Sequence, residues 1–60
     1  MPVITIEAGK LNKEQKQLLV SELTTSAATI MNVPESAFIV LVKENDPENI
    51  GVGGQLIADR

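Results

Sequence analysis

The 60-residue chain has no cysteine, histidine, tryptophan or tyrosine, and Phe38 is its one aromatic residue. Without cysteine the chain has neither a disulfide nor a thiol nucleophile, and without histidine it has no Ser–His pair. A structural zinc site is not expected either. The groups left for chemistry are the terminal amine, the carboxylates, the lysines and Arg60.

The size and composition of the chain predict one domain, residues 1–60, that associates with copies of itself. A chain this short buries only about 60% of its unfolded surface, so its own core is marginal. Small domains usually add disulfides, a metal or partner subunits. Here 43% of the residues are hydrophobic, which is more apolar surface than one small globule can hide. We therefore expect a homo-oligomer.

The charge pattern and the absence of long apolar runs argue against several classes of partner. The net charge is −3, and no cluster of lysine and arginine is present to follow a phosphate backbone, so nucleic acid is not expected as a partner. No apolar stretch is long enough to span a bilayer, so no membrane association is expected. The N-terminus lacks a basic segment followed by an apolar one, which favours a cytoplasmic location.

Pro2, directly after Met1, is the most informative residue of the chain. A small second residue allows the initiator methionine to be removed, and the terminal nitrogen of proline is then a secondary amine. The apolar run from Val3 to Ile6 would draw this amine into a sheet, where burial favours the neutral form that can accept a proton. Most chains with proline at this position use it for no chemistry, so the hypothesis needs support from the other residues.

Two strands and one helix are predicted from the apolar periodicity. Residues Val3 to Glu7 alternate as a strand does, with Ile4, Ile6 and Ala8 on one face. The unbroken apolar segment Phe38 to Val42 is typical of a strand covered on both faces, usually a parallel one. With a helix between the strands, the fold class is α/β (α+β), one β-α-β unit followed by a small hairpin at residues 50–57.

The helix is predicted from Lys13 to about Met31. Asn12 is its expected N-cap, with Gln15 completing a capping box. Asn32 is expected to end the helix, and Pro34 forbids its continuation. The expected apolar face carries Leu19, Leu23, Ala27, Ile30 and Met31, with Val20 beside them. Lys16 is expected on the opposite face, and Phe38 and the methionines in the core.

Three local patterns have both a functional and a structural interpretation. Gly51-Val52-Gly53-Gly54 lacks the spacing of a dinucleotide fingerprint and favours a bent hairpin. Glu44, Asp46 and Glu48 lack the pattern of a calcium loop and favour a solvated acidic turn. Lys10 follows the first strand, at an edge where α/β units often bind ligands, although an ordinary solvated lysine also fits.

Taken in order, these features resemble the 4-oxalocrotonate tautomerase family, and most closely its small DmpI-like branch. The resemblance rests on Pro2, the first strand, Glu14-Gln15-Lys16 opening the helix, Glu44 ending the second strand and the glycine motif at 51–54. The Asn45-Asp46-Pro47 turn and the low aromatic content favour the DmpI-like branch. The resemblance covers essentially the whole chain.

The resemblance implies a subunit whose sheet is completed to four strands by dimerisation, with dimers assembling into hexamers. It also implies an isomerase that uses no cofactor and has the amino-terminal proline as its general base. The implied substrates are unsaturated 2-oxo acids or their dienols, such as 2-hydroxymuconate.

The family's site residues carry over in part. The catalytic base falls on Pro2, and the arginine after the first strand falls near Lys10. The arginine of the second strand falls at Ile39, and the aromatic residue before the glycine motif falls at Ile50. Lys10, Ile39 and Ile50 are thus the expected substrate-binding positions, with no metal ligand. Lys43, on the same strand face as Ile39, is a candidate for a displaced positive charge.

Two other functions remain open. One is the addition of water to an unsaturated acid, with or without loss of halide, in which a cationic proline acts as an acid. The other is a non-catalytic oligomeric binding protein, which the replacement of an arginine by Ile39 supports.

Overall fold

The computed structural model describes all 60 residues, Met1–Arg60. Strand β1 (Val3–Ala8), helix α1 (Lys13–Met31) and strand β2 (Ile39–Glu44) form the β-α-β unit. Strands β3 (Gly51–Val52) and β4 (Gln55–Leu56) form a C-terminal hairpin, and short 3₁₀ turns lie at Glu35–Ala37, Pro47–Asn49 and Ile57–Asp59. The predicted fold class and element order are confirmed.

Strands β1 and β2 pair in parallel, from Val3 opposite Ile39 to Ala8 opposite Glu44. The second strand begins one residue later than predicted and ends two residues later. Phe38 stays outside because its backbone N–H donates to the carbonyl oxygen of Glu35, 3.0 Å away, and closes a 3₁₀ turn. The predicted Phe38–Val42 limits were therefore wrong, although the strand itself is confirmed.

The ends of α1 are fixed by the capping residues that the sequence indicates. The Gln15 backbone N–H donates to Asn12 Oδ1 at 2.8 Å, and the Asn12 backbone N–H donates to Gln15 Oε1 at 3.1 Å. This reciprocal pair satisfies two amides that have no partner inside the helix. At the other end Asn32 adopts the left-handed conformation, with φ of 57°. The structure holds no helix with both the length and the apolar character needed to cross a membrane.

One face of the sheet packs against α1, and Ala28 is the most buried residue there at 9% exposure. The predicted helix face is right for Leu19, Leu23 and Ala27, which are half-buried. It is wrong for Ile30 and Met31, which are 83% and 53% exposed. Ile30 lies about 200° around the helix from Ala28, at 3.6 residues per turn, so it points away from the sheet.

Four further expectations about burial are compared with the structure, for Val20, the methionines, Phe38 and Lys16. Val20 is 37% exposed at the edge of the packed face. Met1 and Met31 are 87% and 53% exposed, so neither methionine is a core residue. Phe38 is half-buried. Lys16, expected in solvent, is half-buried because its ammonium group reaches toward β2.

The opposite face of the sheet is apolar and has nothing packed against it within the subunit. It carries Val3, Ile39 and Leu41, which are 55%, 42% and 52% exposed. The expectation that β2 is covered on both faces is therefore wrong for a single subunit. A two-stranded sheet is marginally stable by itself, so this face and the two free strand edges are the surfaces that association would cover.

The hairpin turn depends on two glycines. Gly53 and Gly54 have φ of 63° and 85°, and a two-residue turn with positive φ at both positions matches the twist of an antiparallel pair. The turn joins strands with Gly51 opposite Leu56 and Val52 opposite Gln55. The interpretation of the glycine motif as a bent hairpin is confirmed.

Candidate active site

Pro2 is fixed by the sheet, although it precedes the first strand. Its carbonyl oxygen accepts a hydrogen bond from the backbone N–H of Ile39 at 3.1 Å, which extends the β1–β2 ladder by one residue. Pro2 is half-buried, whereas Met1 is 87% exposed. Removal of Met1 would therefore cost little packing and leave the new terminal amine next to an ordered strand.

Lys10 lies at the other end of β1, in the loop of residues 9–12. Its side chain is exposed and forms no ion pair within the chain. A strand advances about 3.3 Å per residue, so the length of β1 places the two ends about 17 Å apart. Within one subunit the ammonium group of Lys10 therefore cannot act on a molecule bound at Pro2.

Ile39 and Ile50, the other two predicted binding positions, also lie at opposite ends of the sheet. Ile39 is the first residue of β2, beside Pro2, with its side chain on the face away from α1. Ile50 comes after the carboxyl end of β2, where its carbonyl oxygen accepts from the Ile57 N–H at 2.8 Å. Lys43 shares the exposed face of Ile39 but lies four residues, or about 13 Å, along the strand. The predicted positions of one subunit thus lie at opposite ends of its sheet.

The charged residues are distributed unevenly between these ends. The lysines lie in the loop after β1, in the first turns of α1 and near the end of β2. They are Lys10, Lys13, Lys16 and Lys43. At the other end of β2, Glu35 lies in the 3₁₀ turn that leads into the strand, and its carboxylate accepts from the Thr25 hydroxyl at 3.4 Å. None of the four lysines lies at the Pro2 end of the sheet.

Glu44, at the carboxyl end of β2, joins three elements through one carboxylate oxygen. Its Oε2 accepts from the Leu11 backbone N–H at 2.8 Å and lies 3.4 Å from Lys16 Nζ. The Leu11 hydrogen bond is the main cause that lowers the pKa of Glu44, helped by the charges of Lys16 and Lys10. The sequence reveals Glu44 only as a strand end, because nothing local marks a bond to a residue 33 positions away.

The neighbouring acidic residues have structural roles. Asp46 Oδ1 accepts from the Glu48 backbone N–H at 2.9 Å and caps the 3₁₀ turn that begins at Pro47. The Asn45 side-chain amide donates to Glu7 Oε1 at 3.1 Å. These contacts support the interpretation of this segment as an acidic turn.

The single chain has no enclosed cavity at any of the candidate positions. Its concave regions all lie along α1, lined by residues such as Glu14, Leu18 and Ser21. Pro2, Lys10, Ile39 and Ile50 line none of them. A pocket around Pro2 therefore requires a surface from outside the subunit.

Comparison with known proteins decides the family. The family model described as tautomerase enzyme matches residues 2–60. The chain belongs to the tautomerase family. The resemblance found in the sequence is thereby confirmed, and with it the assignment of this tautomerase as an isomerase.

Individual relatives agree with the family assignment. The chain is 33% identical to a probable tautomerase of Helicobacter pylori (strain J99) over 61 residues, which covers 95% of this chain and 90% of that protein. The crystal structure of DmpI from Archaeoglobus fulgidus is 43% identical over 97% of this chain and all of that chain, with a TM-score of 0.86. TomN, a 4-oxalocrotonate tautomerase homologue of tomaymycin biosynthesis, is 30% identical over 98% of this chain and 92% of its own, with a TM-score of 0.90.

Proposed function

We propose that this tautomerase moves a proton within unsaturated 2-oxo acids or their dienols, such as 2-hydroxymuconate, without a cofactor. The base is the amine of Pro2, exposed by removal of Met1. The observation that carries the proposal is the position of Pro2, which is held by the Ile39 N–H while Met1 is almost fully exposed. The chemistry needs a basic nitrogen in a fixed place, and trimming would create one there.

The site is completed by a second subunit. If two subunits pair antiparallel through the free edge of β1 about a two-fold axis, the amino end of one β1 lies opposite the carboxyl end of the other. Pro2 then faces the loop that carries Lys10 in the partner, and the separation of about 17 Å within one subunit is no obstacle. Ile50, which follows the carboxyl end of β2, comes from another subunit as well.

Association of dimers into a hexamer covers the remaining apolar surface. The candidate is the sheet face away from α1, where Val3 and Leu41 are 55% and 52% exposed. Ile39, opposite Val3, lies at the end of this face beside Pro2. Burial of such a face is the usual driving force for association.

A Leu41→Glu substitution is expected to break this assembly, because it places a charge in the centre of the apolar sheet face. Native mass spectrometry should show the hexamer of the parent protein replaced by smaller species. Leu18→Glu is the matched control, since Leu18 is 60% exposed on α1. Retention of the hexamer by Leu41→Glu would show that this face is not the interface.

In the proposed reaction the neutral Pro2 amine removes a proton from the substrate and returns it at a conjugated position. Lys10 holds the carboxylate or carbonyl oxygen and stabilises the negative charge of the dienolate as it develops. Lysine is a point charge, so it orients a carboxylate less strictly than a bidentate arginine. Apolar neighbours and a nearby cation both lower the pKa of the amine, which keeps it neutral near the working pH.

Ile39 is expected to limit the number of carboxylates that the site accepts. Ile39→Arg should raise kcat/KM for 2-hydroxymuconate, which has two carboxylates, by roughly tenfold. It should leave phenylenolpyruvate, which has one, nearly unchanged. Ile39→Leu is the control for the loss of the isoleucine shape. The parent protein could already have the higher kcat/KM for 2-hydroxymuconate. If Ile39→Arg then leaves the ratio of the two kcat/KM values unchanged, Ile39 does not set this preference.

The proposed function is tested by assaying a panel of 2-oxo acid dienols through their ultraviolet absorbance, with the intact mass measured on the same sample. We expect turnover by a protein that lacks Met1, with kcat/KM declining as the pH falls because protonated Pro2 cannot accept a proton. Inactivity of a trimmed and assembled sample would favour the binding protein. Water addition with activity that declines as the pH rises would favour the hydratase or dehalogenase.

A further inference from the structure

The loop that carries Lys10 is held on both sides by the end of β2. On one side the Asn45 backbone N–H donates to the Ala8 carbonyl oxygen at 2.7 Å. On the other side the Leu11 backbone N–H donates to Glu44 Oε2 at 2.8 Å. Lys10 stands between these two bonds, so the backbone is tied two residues before it, at Ala8, and one residue after it, at Leu11.

Only one of these two hydrogen bonds depends on a side chain. The bond from Asn45 joins two backbone groups and survives any side-chain substitution. The Leu11 bond depends on the carboxylate of Glu44, and a carboxylate is the stronger type of acceptor for a backbone N–H. Beyond Leu11 the chain enters the Asn12 capping box, which fixes the start of α1 but not residues 9–11. Glu44 is therefore the side chain on which the position of the loop depends.

From these contacts we propose that Glu44 is the positioning residue of the substrate-binding loop. Its carboxylate fixes the Leu11 amide and so holds the backbone from which Lys10 reaches a substrate carboxylate in the neighbouring subunit. The inference rests on the proposed function, because it assigns Lys10 the role of carboxylate binder. Glu44 itself touches no substrate and no reacting atom.

The ion pair between Glu44 and Lys16 is secondary in this arrangement. The two side chains are 35% and 39% exposed and their charged atoms are 3.4 Å apart. Exposed pairs of this kind contribute little because water and salt screen them. The effect of a Glu44 substitution should therefore follow the hydrogen bond to Leu11 and not the charge.

Three variants separate the bond from the charge. Glu44→Ala removes both and should raise KM for a 2-oxo acid dienol about fivefold or more, with kcat changed less than about twofold. Glu44→Gln keeps an oxygen that accepts from Leu11, so its KM should stay close to that of the parent. Lys16→Met removes only the ion pair and should also resemble the parent. The Leu11 amide proton resonance should move upfield in Glu44→Ala alone.

A double-mutant cycle shows whether Glu44 acts through Lys10. In a Lys10→Ala background, Glu44→Ala should add less than about twofold to KM, because the loop then has no charge to place. An unchanged KM in Glu44→Ala would overturn the proposal. So would a full additional effect in the double variant, or a Glu44→Gln variant as impaired as Glu44→Ala with an unmoved Leu11 amide.

Binding of 2-oxobutanoate tests the positioning role of Glu44 separately from the proposed isomerisation. This 2-oxo acid has no conjugated carbon–carbon double bond, so its dissociation constant reports binding of the 2-oxo carboxylate group without movement of a double bond. Across the Glu44 and Lys16 variants this dissociation constant should rise in the same order as KM. A parent that binds 2-oxobutanoate but converts no dienol would contradict the isomerase while the Glu44 comparison still holds. A dissociation constant that is the same in the parent and Glu44→Ala would contradict the positioning role.

Discussion

Replacement of Pro2 by alanine is expected to lower kcat/KM for a dienol substrate by about a hundredfold or more, since a positioned base contributes at least that much. Alanine is small enough to permit trimming but leaves a primary amine without the ring. The sheet should be unaffected, because Pro2 contributes its carbonyl oxygen to Ile39 and alanine has the same group. Steady-state kinetics, with intact and native masses on the same sample, measure the effect.

Ser36→Ala is a suitable control for the Pro2 substitution. Ser36 is exposed in the 3₁₀ turn that leads into β2, at the same end of the subunit. Its replacement should leave both activity and assembly unchanged. A trimmed and assembled Pro2→Ala variant as active as the parent would show that Pro2 is not the base.

The second large effect is expected from Lys10→Ala, which should raise KM for a 2-oxo acid more than about tenfold. The substrate carboxylate then loses the cation that binds it, and no other lysine lies at the Pro2 end of the sheet to take its place. Lys13→Ala is the matched control, because it removes the same charge from the next exposed lysine of the chain. The difference between the two variants should shrink at high ionic strength, as salt screens the interaction. An unchanged KM would remove Lys10 from the site.

Mixing the two impaired variants tests whether the site lies between subunits. In a dimer of one Pro2→Ala and one Lys10→Ala subunit, one site has both substitutions and the other has neither. Co-assembled samples should therefore recover activity that neither variant shows alone. Recovery would be absent if Pro2 and Lys10 acted within one chain, which their separation along β1 already argues against.

Local signals were sufficient to predict most of the fold. The Asn12–Gln15 capping box and the Asn32–Pro34 pair mark the two ends of α1, and both are confirmed. The alternation in β1 assigns its two faces correctly because a strand has a strict period of two. Adjacent glycines likewise predict the hairpin, since few other residues adopt positive φ at two successive positions.

Contacts between distant residues account for what the sequence did not show. Phe38 has the apolar character of a strand residue, but its amide is taken by Glu35 and the strand begins later. Ile30 belongs to an apolar pattern along the helix, yet the sheet of a single subunit does not reach it.

The arrangement of the candidate site also depends on contacts that the local sequence does not reveal. Only eight positions separate Pro2 from Lys10, yet the intervening residues are an extended strand that holds them apart. The Leu11–Glu44 bond also has no local signature, because the parallel register of β1 and β2 is what brings its two partners together.

The most direct test of the account is a pH titration of the Pro2 nitrogen by ¹⁵N NMR in the trimmed, assembled protein, compared with the pH dependence of kcat/KM. We predict a pKa below the usual value of a proline amine, equal to the pKa below which activity is lost. A nitrogen that does not titrate, as in an amide, or that titrates at a pH unrelated to the loss of activity, would contradict the assignment of Pro2 as the base.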